Sequence, residues 1–282
     1  MTAQILQIPP GEYHDTEAAS NSGLTTLLDC PAKFKAGLDG QADEQTEAML
    51  IGSAFHCLAL EPDQFGSRYH IMENSGNSSA AKKEKADALE AGKEILTRAQ
   101  YEKVSVLIPG LRSHKTISLF LDHPLARKEI SIFWEEELDG VVIPCKARPD
   151  LVVTSRQGAL ILDLKSINSA NPATLPKTIY DRGYHRQAWW YMRALVKAEL
   201  NPSGFYLGMV EKTPPYLPAL VQIDNNAIEQ GGRECLRAMG IYVDCVRSGS
   251  WPGYSEKVIT IDLPDWIYRK EQNNETHGQF AE

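Results

Sequence analysis

Residues 158–167 read GALILDLKSI, and how this decapeptide is read decides the fold. Leucine, isoleucine and alanine fill it as they would a buried strand, yet Asp163 and Lys165 stand in its middle. Charges inside a strand need compensation, because an unpaired buried charge is costly or is neutralised by a pKa shift. Side chains alternate across a strand, so Asp163 and Lys165 share one face while Leu160, Leu162 and Leu164 share the other. Just upstream, CKARPDLVV at 145–153 places Lys146, Arg148 and Asp150 together by the same rule. An antiparallel return through Gln157-Gly158 then brings Asp150 and Asp163 to one point.

Two converging carboxylates suit a hard divalent cation such as Mg2+ or Mn2+, which prefers oxygen ligands and keeps waters that a phosphate can replace. A lysine beside them can orient or deprotonate the attacking water and stabilise charge on the phosphate. That is the chemistry of metal-assisted phosphodiester hydrolysis. An Asp-x-Lys on a solvated edge strand is the commonplace alternative, and Pro149-Asp150 on the preceding strand is what tells against it.

Around this centre the predicted strands are 129–137, 141–154 and 159–165, an antiparallel meander turning at Asp139-Gly140 and Gln157-Gly158. Toward the N-terminus, apolar spacing predicts helices at 22–38, interrupted near Pro31, and at 45–60. A polar, mobile loop is expected over 73–85, leading into a long helix over 86–120 that Pro109-Gly110 could break. Toward the C-terminus the pattern predicts a helix at 178–198, strands at 203–211 and 218–223, a helix at 225–248, a last strand at 256–262 and a mobile tail near 270–282. No repeat or linker divides the chain, so one domain is expected over residues 1–282.

Composition narrows the class. Hydrophobic residues are 43% and charged residues 23% of 282, close to globular averages. No apolar run approaches the roughly 20 residues of a membrane helix. The start, MTAQILQIPPGEYHD, lacks the basic and apolar regions of a secretory signal, so a cytoplasmic protein is expected. Cys30, Cys57, Cys145, Cys235 and Cys245 are scattered and form no C-x2-C pair, which argues against a disulfide framework, a zinc ribbon or a pinned iron-sulfur cluster. The net charge of -8 excludes a generally basic nucleic-acid binder, so any grip on DNA must be local.

The pattern P-D…(D/E)-x-K, carried by Pro149-Asp150 and Asp163-Leu164-Lys165, resembles that of the PD-(D/E)xK nuclease superfamily. GSAFH at 52–56 resembles the helical G-x-x-x-H of its RecB-like branch, and QAWWY at 187–191 resembles that branch's Q-x-x-x-Y. Taken alone, a histidine on an apolar helix, as His56 is, is more often a satisfied core residue, and Trp189 and Trp190 are read as core or interface. The ordered run SNSGLTTLLDCPAKF, GSAFHCLALEPDQF, CKARPDLV, LILDLKSINSANP and YHRQAWWY resembles the RecE, exonuclease VIII type across roughly residues 12–210.

The resemblance implies an α/β fold with a restriction-endonuclease-like core, a central mixed sheet with an antiparallel meander, flanked by helices. It implies that His56, Asp150 and Asp163, with the Leu164 carbonyl, hold Mg2+ or Mn2+, that Lys165 acts on the water, and that Gln187 and Tyr191 position substrate. It implies 5′ to 3′ digestion of linear double-stranded DNA, a single-strand annealing partner of RecT type and a homo-oligomer, such as a tetrameric ring. Candidate phosphate contacts are Lys146, Arg148, Arg182 and Arg186, with Lys82, Lys83 and Lys85 more weakly indicated. Two rivals stay open: a nuclease of the CRISPR-adaptation kind, and a non-catalytic DNA-binding or assembly module on the same fold.

Overall fold

The structure is a computed structural model describing residues 3–41, 46–74, 76 and 78–268. Strand β1 (Gln4–Leu6) and helix α1 (Pro10–Asp15) come first. Ser20 Oγ accepts from Gly23 N and starts α2 (Asn21–Asp29). Pro31 then opens α3 (Pro31–Leu38), and Cys30 before it is extended, as a residue preceding proline tends to be. Thr46 caps α4 (Glu47–Leu60), and after a 3-10 turn at Pro62–Gln64 come α5 (Phe65–Arg68) and β2 (Tyr69–Ile71).

The expected loop over 73–85 is shorter, because Ser78 caps α6 (Ser79–Glu90). Its start is also tied down: the Glu84 carboxylate accepts from the backbone N–H of Glu73 and Asn74 and contacts the His70 ring. The single long helix expected over 86–120 is overturned. Gly92, at φ 70°, ends α6, β3 (Glu94–Leu96) pairs in parallel with β2, and a Thr97–Gln100 capping box starts α7 (Arg98–Ser105). Two short helices follow, α8 (Leu107–Arg112) and α9 (Lys115–Leu121). The apolar spacing was real, but separate short elements share it.

Next come β4 (Ala126–Lys128), β5 (Ser131–Leu138), β6 (Val141–Ala147), β7 (Leu151–Ser155) and β8 (Gly158–Ile167). The strand expected over 141–154 is thus cut at Arg148-Pro149-Asp150, since proline has no N–H for a ladder. Then follow α10 (Leu175–Asp181), α11 (Tyr184–Lys197), β9 (Pro202–Glu211), β10 (Pro218–Gln222) and α12 (Asn225–Ser248). Gly183, at φ 66°, separates α10 from α11, where one helix was expected. Asp224 caps α12 and Gly249, at φ 67°, ends it at the expected boundaries. Residues 256–262 form no strand among the described residues, and the tail expected near 270–282 lies outside them.

The cut at Pro149 divides the meander between two sheets. Strands β1, β5 and β6 make one antiparallel sheet, and the other runs β10-β9-β8-β7-β4. β8 pairs antiparallel with β7 and parallel with β9, so the central sheet is mixed, and helices flank it. Leu162 and Leu164 on β8, with Leu151 and Val153 on β7, pack on residues of α4, α7, α8 and α9. Ala159, Ile161 and Ile167 join Val152 in a second core with residues of α2, α11 and α12. Both faces of β8 are therefore apolar, and Asp163 and Lys165 interrupt the second one. No helix among the described residues is long and apolar enough to cross a membrane.

Candidate active site

In the β7–β8 ladder Leu151 faces Leu162, which sets Asp150, one residue before β7, opposite Asp163. The convergence expected from the alternation is present. Leu164 N donates to Asp150 Oδ2 at 2.6 Å, and His56 Nδ1 on α4 meets the same oxygen at 3.1 Å. Asp163 is fully buried; its Oδ1 accepts from Gln187 Nε2 at 3.0 Å, and Gln187 Nε2 also donates to Tyr191 Oη at 3.1 Å. The i, i+4 spacing on α11 thus turns both side chains toward the site. Asp163 Oδ2 is ion-paired with the Lys165 ammonium, which donates to it.

The electrostatics separate the two aspartates. Burial and the neighbouring Asp150 charge push Asp163 up to about 6, against the pull of Lys165. Burial alone would also raise Asp150, but His56, Lys165 and the Leu164 N–H hold it below the usual carboxylate range. Burial alone would lower Lys165, yet Asp163 and Asp150 more than offset it, so Lys165 is held as an ammonium. Its Nζ lies 5.2 Å from the Tyr184 ring centroid, a cation–π contact that sequence reading missed.

Glu129 was missed as well. His56, Glu129 and Asp150 each offer a ligand atom, all within 4.8 Å of one another. Glu129 follows β4, has φ 53°, and donates its N–H to the Asp150 carbonyl at 3.0 Å. A positive φ is uncommon for a residue with a side chain, and such strain gathers at functional sites. No spacing rule links Glu129 to Asp150 along the chain, so no motif could have found it. Burial and the Asp150 charge raise its carboxyl above the usual range. The expected metal set, His56, Asp150 and Asp163 with the Leu164 carbonyl, therefore gains Glu129, while Asp163 lies across the register, tied to Lys165 and Gln187.

This donor set fits a hard divalent cation. Carboxylate oxygens and one imidazole nitrogen are brought within 4.8 Å of one another.

The basic residues beside the site are otherwise employed. Lys146 is buried, and its Nζ donates to the carbonyls of Tyr13 (2.8 Å), His14 (3.0 Å) and Thr16 (2.7 Å), which uses all three hydrogens. Arg148 is buried too, donating to Glu129 Oε2 (2.7 Å), the Ile8 carbonyl (3.0 Å) and Ser131 Oγ (3.1 Å). The expectation that Lys146 and Arg148 grip phosphates is corrected: they fasten the N-terminal segment and Glu129, because the cut at Pro149 turns them inward. Trp190, fully buried 4.9 Å from Trp134, donates to the Lys146 carbonyl, a core role as expected. Arg182 is exposed. Lys83, on α6, pairs with Asp87 on the surface.

Arg186 is half-buried and donates to Glu234 Oε2 at 2.6 Å, beside His185 at 3.2 Å. Burial alone would raise Glu234, but bonds from Gln230, Arg186 and His185 hold it at about 2, against an ordinary 4.5. A depressed carboxyl adds stability that is complete above its unfolded pKa and is lost as pH falls through the folded one. Wild type is therefore expected to be more stable than Glu234→Gln at neutral pH, with the difference shrinking as pH drops from 4.5 toward 2. Denaturant midpoints of the two proteins across that range check this.

Residues 20–264 match the family described as "PDDEXK-like domain of unknown function (DUF3799)". None of the curated proteins matches the chain. The crystal structure of a "putative exonuclease" from Eubacterium rectale superposes with a TM-score of 0.63 at 14% identity, covering 93% of this chain and 98% of that one. A phage related exonuclease from Haemophilus somnus 129PT gives a TM-score of 0.33 at 13% identity, covering 83% of this chain and 96% of that one. The first likeness is one of fold. With the match spanning most of its length and the motif residues assembled, the chain belongs to the PDDEXK-like DUF3799 family, within the PD-(D/E)xK nuclease superfamily.

Proposed function

We propose that this protein is a divalent-metal-dependent exodeoxyribonuclease acting on linear double-stranded DNA. The observation that carries the reading is the register that sets Asp150 opposite Asp163, with Lys165 paired to Asp163 and with His56 and Glu129 gathered at Asp150. Enzymes of the superfamily generally depend on a divalent metal. His56, Glu129 and Asp150 would hold it, with Asp163 and the Leu164 carbonyl as further candidate ligands, and Mg2+ is favoured over Mn2+ as the physiological ion. When bound, such an ion supplies Lewis acidity and a water of lowered pKa.

The chain's own groups do the rest. Lys165, kept as an ammonium by its carboxylate neighbours, places a fixed positive charge where the phosphate accumulates negative charge. Gln187 holds Asp163 in one orientation, and Tyr191 fixes Gln187 in turn. Arg182 and Arg186, flanking the start of α11, are the remaining candidates for phosphate contact. From the resemblance of its ordered motifs to the RecE, exonuclease VIII type, the proposal extends to 5′ to 3′ polarity, a 3′ overhang delivered to a single-strand annealing protein of RecT type, and a ring-like homo-oligomer.

With Mg2+, purified protein is expected to digest linear duplex and spare covalently closed circles of the same sequence. Chelator should stop digestion, and Ca2+ should not restore it. Equal cleavage of closed circles would make the protein an endonuclease. Binding of duplex with no hydrolysis under any divalent cation would favour the non-catalytic module.

A further inference from the structure

Residues 4–16 lie before the family match, which begins at residue 20, yet they are bonded to both sides of a candidate metal ligand. β1 pairs with β5, Ile5 opposite Ile132. From there the chain runs past Glu129. Gln7 Nε2 donates to the Lys128 carbonyl at 3.2 Å, one residue before Glu129. The Ile8 carbonyl accepts from Arg148 Nη1 at 3.0 Å, and Arg148 Nε donates to Glu129 Oε2 at 2.7 Å. Farther along, Lys146 Nζ gathers the carbonyls of Tyr13, His14 and Thr16. The Tyr13 ring centroid lies 4.9 Å from that ammonium and 5.6 Å from the Arg148 guanidinium carbon. Two buried cations thus hold one short segment, and Arg148 holds a carboxylate of the site as well.

Arg148 acts where Glu129 most needs support. Glu129 follows the three-residue β4 in a left-handed conformation, φ 53°, and its N–H is tied to the Asp150 carbonyl at 3.0 Å. A conformation of that kind persists only where the surroundings enforce it. The Arg148 fork enforces it on the side chain: Nε takes Glu129 Oε2, while Nη1 is shared by the Ile8 carbonyl and by Ser131 Oγ on β5. A guanidinium presents these donors in a fixed plane, so the segment and the carboxylate are set relative to each other. A bond to one carboxylate oxygen leaves the other for a cation.

We propose that Arg148 is a positioning residue for Glu129: by bridging the Ile8 carbonyl to the Glu129 carboxylate it fixes a metal ligand, and residues 4–16 thereby set the affinity for the divalent cation. The inference rests on the metal-dependent reading above and extends it to a segment outside the family match. Removing an outer group that orients a metal ligand typically costs roughly 10- to 100-fold in metal affinity. Charge alone predicts the opposite sign, since taking a positive charge from beside a cation site tightens binding. Weaker binding therefore reports lost orientation.

Calorimetric titration of Mn2+ into the metal-free full chain, without DNA, tests it. Arg148→Met should weaken Mn2+ binding by about 10-fold or more, with unchanged far-UV circular dichroism. Arg148→Lys keeps the charge, but one ammonium cannot reproduce the fork, so binding should again be weaker than in wild type; this variant carries the test should the methionine protein fail to fold. Glu129→Gln should weaken binding too, and adding Arg148→Met to it should cost nothing further, because the arginine acts through Glu129. Unchanged or tighter binding in any of the single variants, or losses that add in the double variant, overturns the positioning role while wild-type binding keeps the metal reading. A wild-type protein that binds no Mn2+ overturns both.

Discussion

Replacing Lys165 by methionine is expected to lower phosphodiester hydrolysis by on the order of 10³-fold while leaving DNA binding largely intact. Methionine keeps the aliphatic stem but removes the only charge paired with the buried Asp163 Oδ2. Breaking a buried pair by deleting one partner costs about 3–5 kcal/mol, so stability at neutral pH should fall as well. Asp163→Asn breaks the same pair from the other side. The amide oxygen can still accept from Gln187 Nε2, but the Lys165 ammonium loses its ion-pair partner and keeps only the neighbouring Asp150 charge, so activity should be lost together with some stability. Thermal unfolding of both variants beside their single-turnover rates reads chemistry and stability independently. Wild-type rates in either variant would remove Asp163 and Lys165 from the reaction.

Gly231→Ala should do comparable damage from outside the site. Gly231 and Gly232 let α12 lie against the start of α11. A Cβ on Gly231 would sit 2.2 Å from the His185 carbonyl oxygen and 2.8 Å from Arg186 N, backbone atoms that cannot swing aside. Either α12 retreats or α11 shifts, at a cost of about 1–3 kcal/mol or more. A shift of α11 carries Gln187 away from Asp163, and a displacement of about 1 Å at a reacting centre can cost roughly 10²-fold in rate. Gly240, on the same helix, has open space where its Cβ would be. Gly240→Ala should therefore be neutral or stabilising, by up to about 1 kcal/mol. Denaturant unfolding and initial rates of the pair check this, and an unimpaired Gly231→Ala protein would show that the α11–α12 packing does not govern the site.

The parts legible in the sequence were those set by local pattern. Alternation in GALILDLKSI and in PDLVV was enough to put Asp150 opposite Asp163, since a register follows from a tight turn and a period of two. The ends of α12 were readable from Asp224 and Gly249, residues with a capping mechanism. What stayed hidden depends on contacts between distant segments. Lys146 and Arg148 look like a basic stripe until Pro149 splits the strand and hands them to Tyr13, His14, Thr16 and Glu129. Glu129 reaches the site through a left-handed backbone turn that no periodicity announces. The β8 face carrying Asp163 is not a solvent face, because α11 covers it, and a helix far along the chain leaves no mark on the strand it will cover. Residues 256–262 have a strand's composition, and composition says nothing about whether a partner strand is within reach.

The central claim is that the Asp150–Asp163–Lys165 centre hydrolyses DNA with a divalent ion. Release of label from a linear duplex marked at one 5′ end, followed with Mg2+ and with chelator, tests it most directly. The account expects steady release from that end in Mg2+ and none in chelator. Release that continues in chelator, or none with any divalent cation, would contradict it.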